Sequence, residues 1–549
     1  MSGHAADVDV LVVGAGLGGL YALHSLQQRG LTVTCMEAAP ALGGVWYHNN
    51  YPGARVDLES ETFCYLFDES LYRDWKWSER YAAQSEILGY LNHFADRYEL
   101  RPLIQFNARV ASLTWSVSED LYEVRSTDGV VLRATFVVLA TGQLSAPRTP
   151  EFDGLSEYGG EWYRASDWPK SDVDLRGRRV GVIGTGSSGV QITTALACQV
   201  EELWVFQRTP NYSVPAQNRD RSDLQHEFAG SRFERLRQGV FSSAMGFLAP
   251  PPAGRWSDFD ECERQQLLEQ RWAHGGQSLL STFTDQGVEW EANSGVGDFV
   301  RRKINERIGG RGGLAPLIPS DYPVGTRRLC VDTGYYEQFS KDNVHLVDLR
   351  KQPIQGFRKG GLSVAGAGEV NLDAVVFALG FEAFTGALFG MDIVGRNGQR
   401  LRDAWVLGPR TLYGVMINGF PNLFVATGPG SPSVLANMFA ANVQHMDFIG
   451  ELITQTRDRG AATVEADGTA ESAWSEHVQE VARGLIRYQV DNYFVHRNAD
   501  GSRVYFPYTG GFSRYIGYCE DEVAAGLPNF IVGGEKSQGG AAHGAWRSA

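Results

Sequence analysis

Two glycine clusters share one spacing. Gly14-Ala-Gly16-Leu-Gly-Gly19 and Gly184-Thr-Gly186-Ser187-Ser188-Gly189 each follow a short apolar run, Val8 to Val13 and Val180 to Ile183. Such a turn suits a pyrophosphate. The first glycine permits the tight bend, the second lets backbone approach the phosphates, and the third lets the next helix pack on the strand. The positive end of that helix then faces the negative charge. What ends the following strand decides which ribose is held. Glu37, 21 residues after Gly16, offers a carboxylate that accepts from both ribose hydroxyls. The second unit has Arg208 and Thr209 there instead. A guanidinium pairs with a 2′-phosphate that a carboxylate would repel, and Thr209 can donate to it.

Those residues need strands and helices to place them. The pattern predicts a helix from the first turn to about Arg29 and a strand over Thr32 to Met36. A strand over Phe136 to Leu139 ends at Ala140-Thr141-Gly142. After the second turn a helix runs through Ala197, and a strand spans Leu203 to Phe206. From about Asp220 to Arg311 the chain reads as charged and helical. Strands return at Val344 to Leu349 and Ala374 to Ala378, and helices span Val434 to Arg457 and Ala473 to Val490. The fold class is α/β, with two Rossmann-like dinucleotide-binding domains and a helical insertion in the second. Two such sites in one chain are those of a flavin, FAD, reduced by a nicotinamide, with NADPH favoured over NADH. The expected FAD domain takes residues 1–148 and 384–533. The NADP domain takes 149–219 and 326–383, the insertion 220–325, and a flexible tail 534–549.

Composition narrows the chemistry. The 549 residues carry a formal net charge of −14, which argues against a nucleic-acid surface. The six cysteines include no C-x-x-C pair. That removes the disulfide reductases, which share the two-nucleotide layout, and leaves no zinc spacing; no metal is expected. Reduced thiols, no secretory leader and no run of about 18 apolar residues point to a cytoplasmic protein without a membrane span. Electrons from the reduced flavin then go to oxygen.

Several longer segments resemble the Baeyer–Villiger monooxygenases, nearest the branch with the steroid and phenylacetone enzymes. Gly43-Gly44-Val-Trp46-Tyr-His-Asn-Asn-Tyr51-Pro52-Gly53-Ala-Arg-Val-Asp57 matches a family signature at every defined position. Gly325-Thr-Arg327-Arg328 with Asp332-Thr-Gly-Tyr-Tyr, and Gly428-Pro-Gly-Ser-Pro-Ser-Val434, are similar to two more. The resemblance runs from Val8 to about Val523. It implies an enzyme that inserts one oxygen atom from O2 beside the carbonyl of a hydrophobic ketone, through a C4a-peroxyflavin, to give an ester or lactone. It also implies roles. Arg328 stabilises negative charge over the flavin, Asp57 sets the position of Arg328, and Arg327 joins Arg208 at the 2′-phosphate. Gly44, Trp46, Asp57 and Met438 fall among the cofactor contacts. Substrate is expected near Leu435 to Phe439 and after Tyr493.

The chain departs from the family in places. Its long fingerprint reads Tyr158-Gly-Gly160-Glu-Trp-Tyr-Arg164-Ala-Ser-Asp-Trp168-Pro169, with Arg164 where relatives have histidine. Arg164 is always charged and is expected to donate to a backbone carbonyl or to the linker. A Trp-Tyr pair on a mobile loop is Asn492-Tyr493, an aromatic near the flavin is Phe63, and an Ala-Thr-Gly is Ala378-Leu379-Gly380. Other outcomes for the same cofactors are oxygenation of sulfur or nitrogen, release of H2O2 as an NADPH oxidase, or a non-catalytic nucleotide sensor.

Overall fold

Residues 6–221, 231–498, 500–533 and 535–536 are described by a computed structural model. Nearly all of the expected tail, and residues 222–230 of the expected insertion, lie outside the described residues.

Val8–Val13 forms a strand whose successive side chains serve two cores. Val10 and Val12 enter one cluster, Leu11 and Val13 another. This period of two with both faces buried is what a central parallel strand requires. Val33–Met36 pairs with it on one side and Val131–Leu139 on the other, both parallel. The sheet continues through Leu121–Ser126 and Val110–Ser116, which are antiparallel, to an edge strand at Asp392–Val394. Leu423–Val425 adds parallel to Val137–Leu139. The first sheet is therefore completed by chain that lies nearly three hundred residues further on.

The second sheet is wholly parallel. Its order is Val344–Asp348, Glu202–Gln207, Arg179–Ile183, Ala374–Phe377 and Glu161–Arg164. A three-stranded antiparallel flap, Ile354–Arg358, Gly361–Val364 and Gly368–Asn371, sits beside it. Helices Ser231–Ser242, Glu261–His274 and Trp290–Arg307 fill the charged stretch between its strands. The second of these starts at a capping box: Asp260 accepts from the Glu263 amide at 2.9 Å and Glu263 accepts from the Asp260 amide at 2.9 Å.

The architecture is the expected α/β pair of Rossmann-like units, with shifts at element ends. The first helix is Leu17–Gln28 with Arg29 as its cap, and the following strand begins at Val33. The expected helix from Val434 is instead a 3-10 turn, Ser433–Leu435, a break, and then Met438–Asp458. The apolar run Val434-Leu435-Ala436 hides that break. Asn437 enforces it by turning its side chain back to accept from the Phe439 amide at 3.0 Å. The helix expected over Ala473 to Val490 begins earlier, at Gly468, because Asp467 caps it, and it stops at Arg483 before Gly484. Ile486–Gln489 is a separate turn of helix.

Candidate active site

The two glycine turns have nearly the same geometry. Gly14 has φ +101° and Gly184 φ +109°, a region costly for any residue with a Cβ. A Cβ on Gly14 would stand 2.8 Å from the Ala140 carbonyl oxygen, and one on Gly184 2.4 Å from that of Ala378. On Gly19 and Gly189 it would meet the Gly14 and Gly184 carbonyl oxygens at 1.8 and 2.0 Å. Ala140-Thr141-Gly142 and Ala378-Leu379-Gly380 thus occupy equivalent places, one per sheet. A Cβ on Gly186 would meet nothing within 4 Å, so that turn opens on free space. Buried Glu37 curls back on the first turn, accepting from the Ala15 amide at 2.6 Å and the Ala39 amide at 2.7 Å.

The Gly43–Asp57 segment joins the two sheets. Gly43 donates its amide to Ala15 at 2.9 Å, and a Cβ on Gly44 would stand 3.0 Å from the Gly16 Cα. At its other end the Tyr51 hydroxyl donates to Gln191 at 2.8 Å, and Gln191 donates to the Arg55 carbonyl at 3.1 Å. Gln191 lies on the helix Ser187–Leu196 that follows the second turn. The segment thereby carries Asp57 to Arg328. Arg328 Nε donates to Asp57 Oδ2 at 2.5 Å, Nη2 to Oδ1 at 2.8 Å, and Nη1 to the Val434 carbonyl at 2.9 Å. Burial disfavours the Arg328 charge, but the Asp57 carboxylate outweighs it and holds the guanidinium pKa above its ordinary value. One N–H on each terminal nitrogen is left over from these bonds.

On the nucleotide side, exposed Arg208 joins no carboxylate among the described residues, and its carbonyl accepts from Arg350 at 2.7 Å. The Thr209 carbonyl accepts from Thr185 at 3.1 Å. Arg327 lies over the Tyr322 ring, 4.8 Å from its centre. Ser187 Oγ is 3.7 Å from the Cys330 thiol, which burial pushes up to about 12. Ser188 sits beside it at the start of the helix.

In the fingerprint, Tyr158 donates to the Leu372 carbonyl at 3.0 Å, and a Cβ on Gly160 would meet the Tyr158 hydroxyl at 2.4 Å. Among the described residues Arg164 donates neither to a backbone carbonyl nor to the linker. It pairs with the carboxylate of Asp167 at 2.8 Å, which stands 3.5 Å from His48 Nδ1. The reason is local: Asp167 follows by three residues across a tight turn, and its carboxylate is a stronger partner for a guanidinium than a neutral carbonyl. The Trp168 amide donates to the His48 carbonyl at 3.2 Å, and the Pro169 carbonyl accepts from Asn50 at 3.2 Å. The end of the fingerprint is therefore fastened to the signature segment.

Further groups surround the site, and the roles of Asn437 and His445 among them were not legible in the sequence. Asn437 donates to the Thr62 carbonyl at 2.5 Å and so fixes the helix start where Met438 stands. Phe63 packs edge-on between Trp46 and Phe439. His445 is fully buried and pushed down to about 3 by burial. Its Nδ1 accepts from the Thr427 amide at 3.1 Å, so Nε2 carries the proton toward the Tyr515 hydroxyl at 3.1 Å. That neutral tautomer props the turn at Thr427, a residue with φ +49° beside the Gly428 loop. A cavity of about 230 Å³ opens beside Arg328, lined by Val434, Leu435, Phe494 and Phe512 among others. Tyr493 stands near Arg328, and the low-polarity surroundings of its hydroxyl push it up to about 12. No group of three or more acidic, histidine or cysteine side chains among the described residues could hold a metal.

Comparison with known proteins places this arrangement. A family model described as flavin-binding monooxygenase-like matches residues 7–222. The acetone monooxygenase (methyl acetate-forming) of Gordonia sp. strain TY-5 is 36% identical over 96% of this chain and 99% of its own. A Baeyer–Villiger monooxygenase of Pseudooceanicola batsensis is 34% identical over 93% of each. The chain belongs to the Baeyer–Villiger monooxygenases. A solved structure, oxidized steroid monooxygenase bound to NADP, superposes on this family member with a TM-score of 0.92 at 40% identity, covering 96% of this chain and all of that one. No helix of this Baeyer–Villiger monooxygenase, among the described residues, is long and apolar enough to cross a membrane.

Proposed function

We propose that this chain binds FAD at the first glycine turn and NADPH at the second, and oxygenates ketones at the cavity beside Arg328. A ketone, O2, NADPH and a proton become an ester or lactone, NADP⁺ and water. One oxygen atom enters the C–C bond next to the carbonyl, and the two electrons of NADPH take the other to water. Residues 1–148 and 384–533 make the FAD domain, 149–219 and 326–383 the NADP domain, and 220–325 the insertion.

Polar atoms that the protein leaves without partners suit a bound flavin: Trp46 Nε1, Gln143 Oε1 and Ser433 Oγ are enclosed and make no hydrogen bond. Bound FAD supplies the redox chemistry and the activation of oxygen. The chain positions and shields. Gly14, Gly16, Gly19 and Gly44 admit the pyrophosphate closely, Glu37 takes the ribose hydroxyls, and Met438 offers its backbone amide at the first turn of its helix. Gly184, Gly186, Ser187, Ser188 and Gly189 receive the second pyrophosphate, and Arg208, Thr209 and Arg327 the 2′-phosphate. Arg164 and Asp167, with Trp168 and Pro169, hold the end of the fingerprint against the signature segment, while Tyr158 and Gly160 pack at its start. Free thiols at all six cysteines support a cytoplasmic setting.

The observation that carries this reading is the clamp on Arg328. An arginine gripped by Asp57 and the Val434 carbonyl at a cavity wall keeps two N–H groups for an oxygen that becomes negative as the ketone is attacked. Oxygenation of sulfur or nitrogen by an electrophilic oxygen needs no such cation. The test is turnover with NADPH, isotopically labelled O2 and a ketone. One labelled oxygen per ester and nearly one ester per NADPH are expected. Hydrogen peroxide in place of ester, or oxygenation confined to thioethers and amines, overturns the proposal.

A further inference from the structure

We infer that the cavity beside Arg328 is built for a ketone that carries a carboxylate remote from its carbonyl, and that Arg487 and Thr509 receive that carboxylate. The inference deepens the proposed function and rests on it for the identity of the reacting carbonyl.

Three arginines, Arg327, Arg328 and Arg487, line one cavity of about 230 Å³, and among the described residues no carboxylate lines it. That is a marked local excess in a chain whose formal charge is −14. Two of the three are accounted for. Arg328 is neutralised by Asp57. Arg327 lies on Tyr322 and belongs to the proposed 2′-phosphate set. Arg487 is surplus. It makes no ion pair with a carboxylate among the described residues, and the acid one turn further on, Asp491, is taken by Arg497 at 2.6 Å and Arg503 at 3.4 Å.

Arg487 faces the same space as Arg328. The hydroxyl of Tyr493 feels the charge of both, and that of Tyr505 feels Arg487. The Arg487 carbonyl accepts from Asn492 at 2.6 Å, which fixes its backbone. In the lining of the same cavity, the Thr509 hydroxyl is enclosed and has no hydrogen-bond partner. A half-buried cation and an idle hydroxyl lining one cavity are what a carboxylate satisfies, the first by charge and a forked hydrogen bond, the second by one donated bond. Leu280, Leu435, Phe494 and Phe512 also line the cavity and suit a hydrocarbon spacer. A wholly apolar ketone would leave the Thr509 hydroxyl unpaired and Arg487 without a countercharge, and sites of that kind discriminate strongly against ligands lacking the matching group.

The test compares 7-oxooctanoate with its neutral counterpart 2-octanone on FAD-loaded enzyme. Two readouts are taken: kcat/KM with NADPH and O2, and calorimetric Kd with NADP⁺ bound. The acid is expected to be preferred by on the order of ten- to a hundredfold, mainly through KM, and less so at high salt. Arg487→Ala should collapse that ratio and Arg487→Lys restore part of it, with FAD content and thermal midpoint confirming that both variants fold. Equal Kd for acid and ketone in the wild type, or an equal loss for both in Arg487→Ala, overturns the inference. So does an effect of Arg487→Ala on NADPH KM alone, which would make Arg487 a nucleotide ligand. If the acid binds preferentially and loses that preference in Arg487→Ala, yet neither compound is oxygenated, the subsite stands and the oxygenation reading fails.

Discussion

Asp57→Asn isolates what the clamp on Arg328 contributes. Asparagine keeps the shape and one acceptor oxygen, but turns an N–H₂ toward a guanidinium and removes the countercharge. Breaking a buried ion pair costs about 3–5 kcal/mol. Here the side chains of Arg328 and Asp57 are 36 % and 19 % exposed, so solvent screens part of that. About 2 kcal/mol is the discounted figure, equivalent to roughly a 30-fold loss of rate. The Val434 carbonyl still holds Nη1, so Arg328 stays in the site but loses its fixed direction. The assay is kcat/KM for the ketone together with peroxide released per NADPH. A fall near 30-fold with more peroxide is expected, and Asp57→Glu should recover part of it. A kcat/KM within about twofold of wild type would show that Arg328 does not depend on Asp57. A loss beyond a thousandfold would show that Asp57 does more than hold it.

Arg208→Ala should raise KM for NADPH by roughly ten- to a hundredfold and leave KM for NADH little changed, since only the former brings a 2′-phosphate; steady-state kinetics with both nucleotides checks this. Gly53→Ala puts a Cβ 2.7 Å from the Gln191 carbonyl oxygen at φ +81°. That strain, about 1–3 kcal/mol, should lower the thermal midpoint by about 1–3 degrees in a chain of this size and loosen the two sheets from each other. Glu471 is pushed up to about 7 by burial, beside the Asn418 amide it accepts from at 2.8 Å. A carboxyl whose folded pKa lies above its unfolded value stabilises the fold fully below about pH 4.5, and that stability is lost as pH rises through about 7. Glu471→Gln should therefore unfold later than wild type at pH 8, by about 3 kcal/mol, with the difference shrinking toward pH 5 in denaturant titrations.

What could be read from sequence was local chemistry. The turns at Gly14 and Gly184 are fixed by contacts within a few residues, and the choice of Glu37 against Arg208 lies at a predictable strand end. Asp57 and Arg328 entered through resemblance, because no local rule links residues 271 positions apart. Tyr493 entered only through the resemblance, and Arg487 and Thr509 had no signal at all; they line the cavity beside Arg328 only because the chain returns over it. Helix ends failed where a side chain outvoted the apolar pattern, as at Asn437. Arg164 failed for a related reason, since an acid three residues away competes better for a guanidinium than a carbonyl does.

The order of strands in the first sheet bears on how the protein is made. Val131–Leu139 cannot gain Leu423–Val425 as a neighbour until about 280 more residues have left the ribosome. At about 5–20 residues per second that is a delay of roughly 15 to 60 seconds. The five-stranded parallel sheet and the helices inserted within it are complete before then, so the enclosed unit should fold first, while the enclosing one waits with part of its central strand uncovered. That interval is when a chaperone would be needed, and it makes recovery of active enzyme sensitive to growth temperature well before any active-site residue is touched.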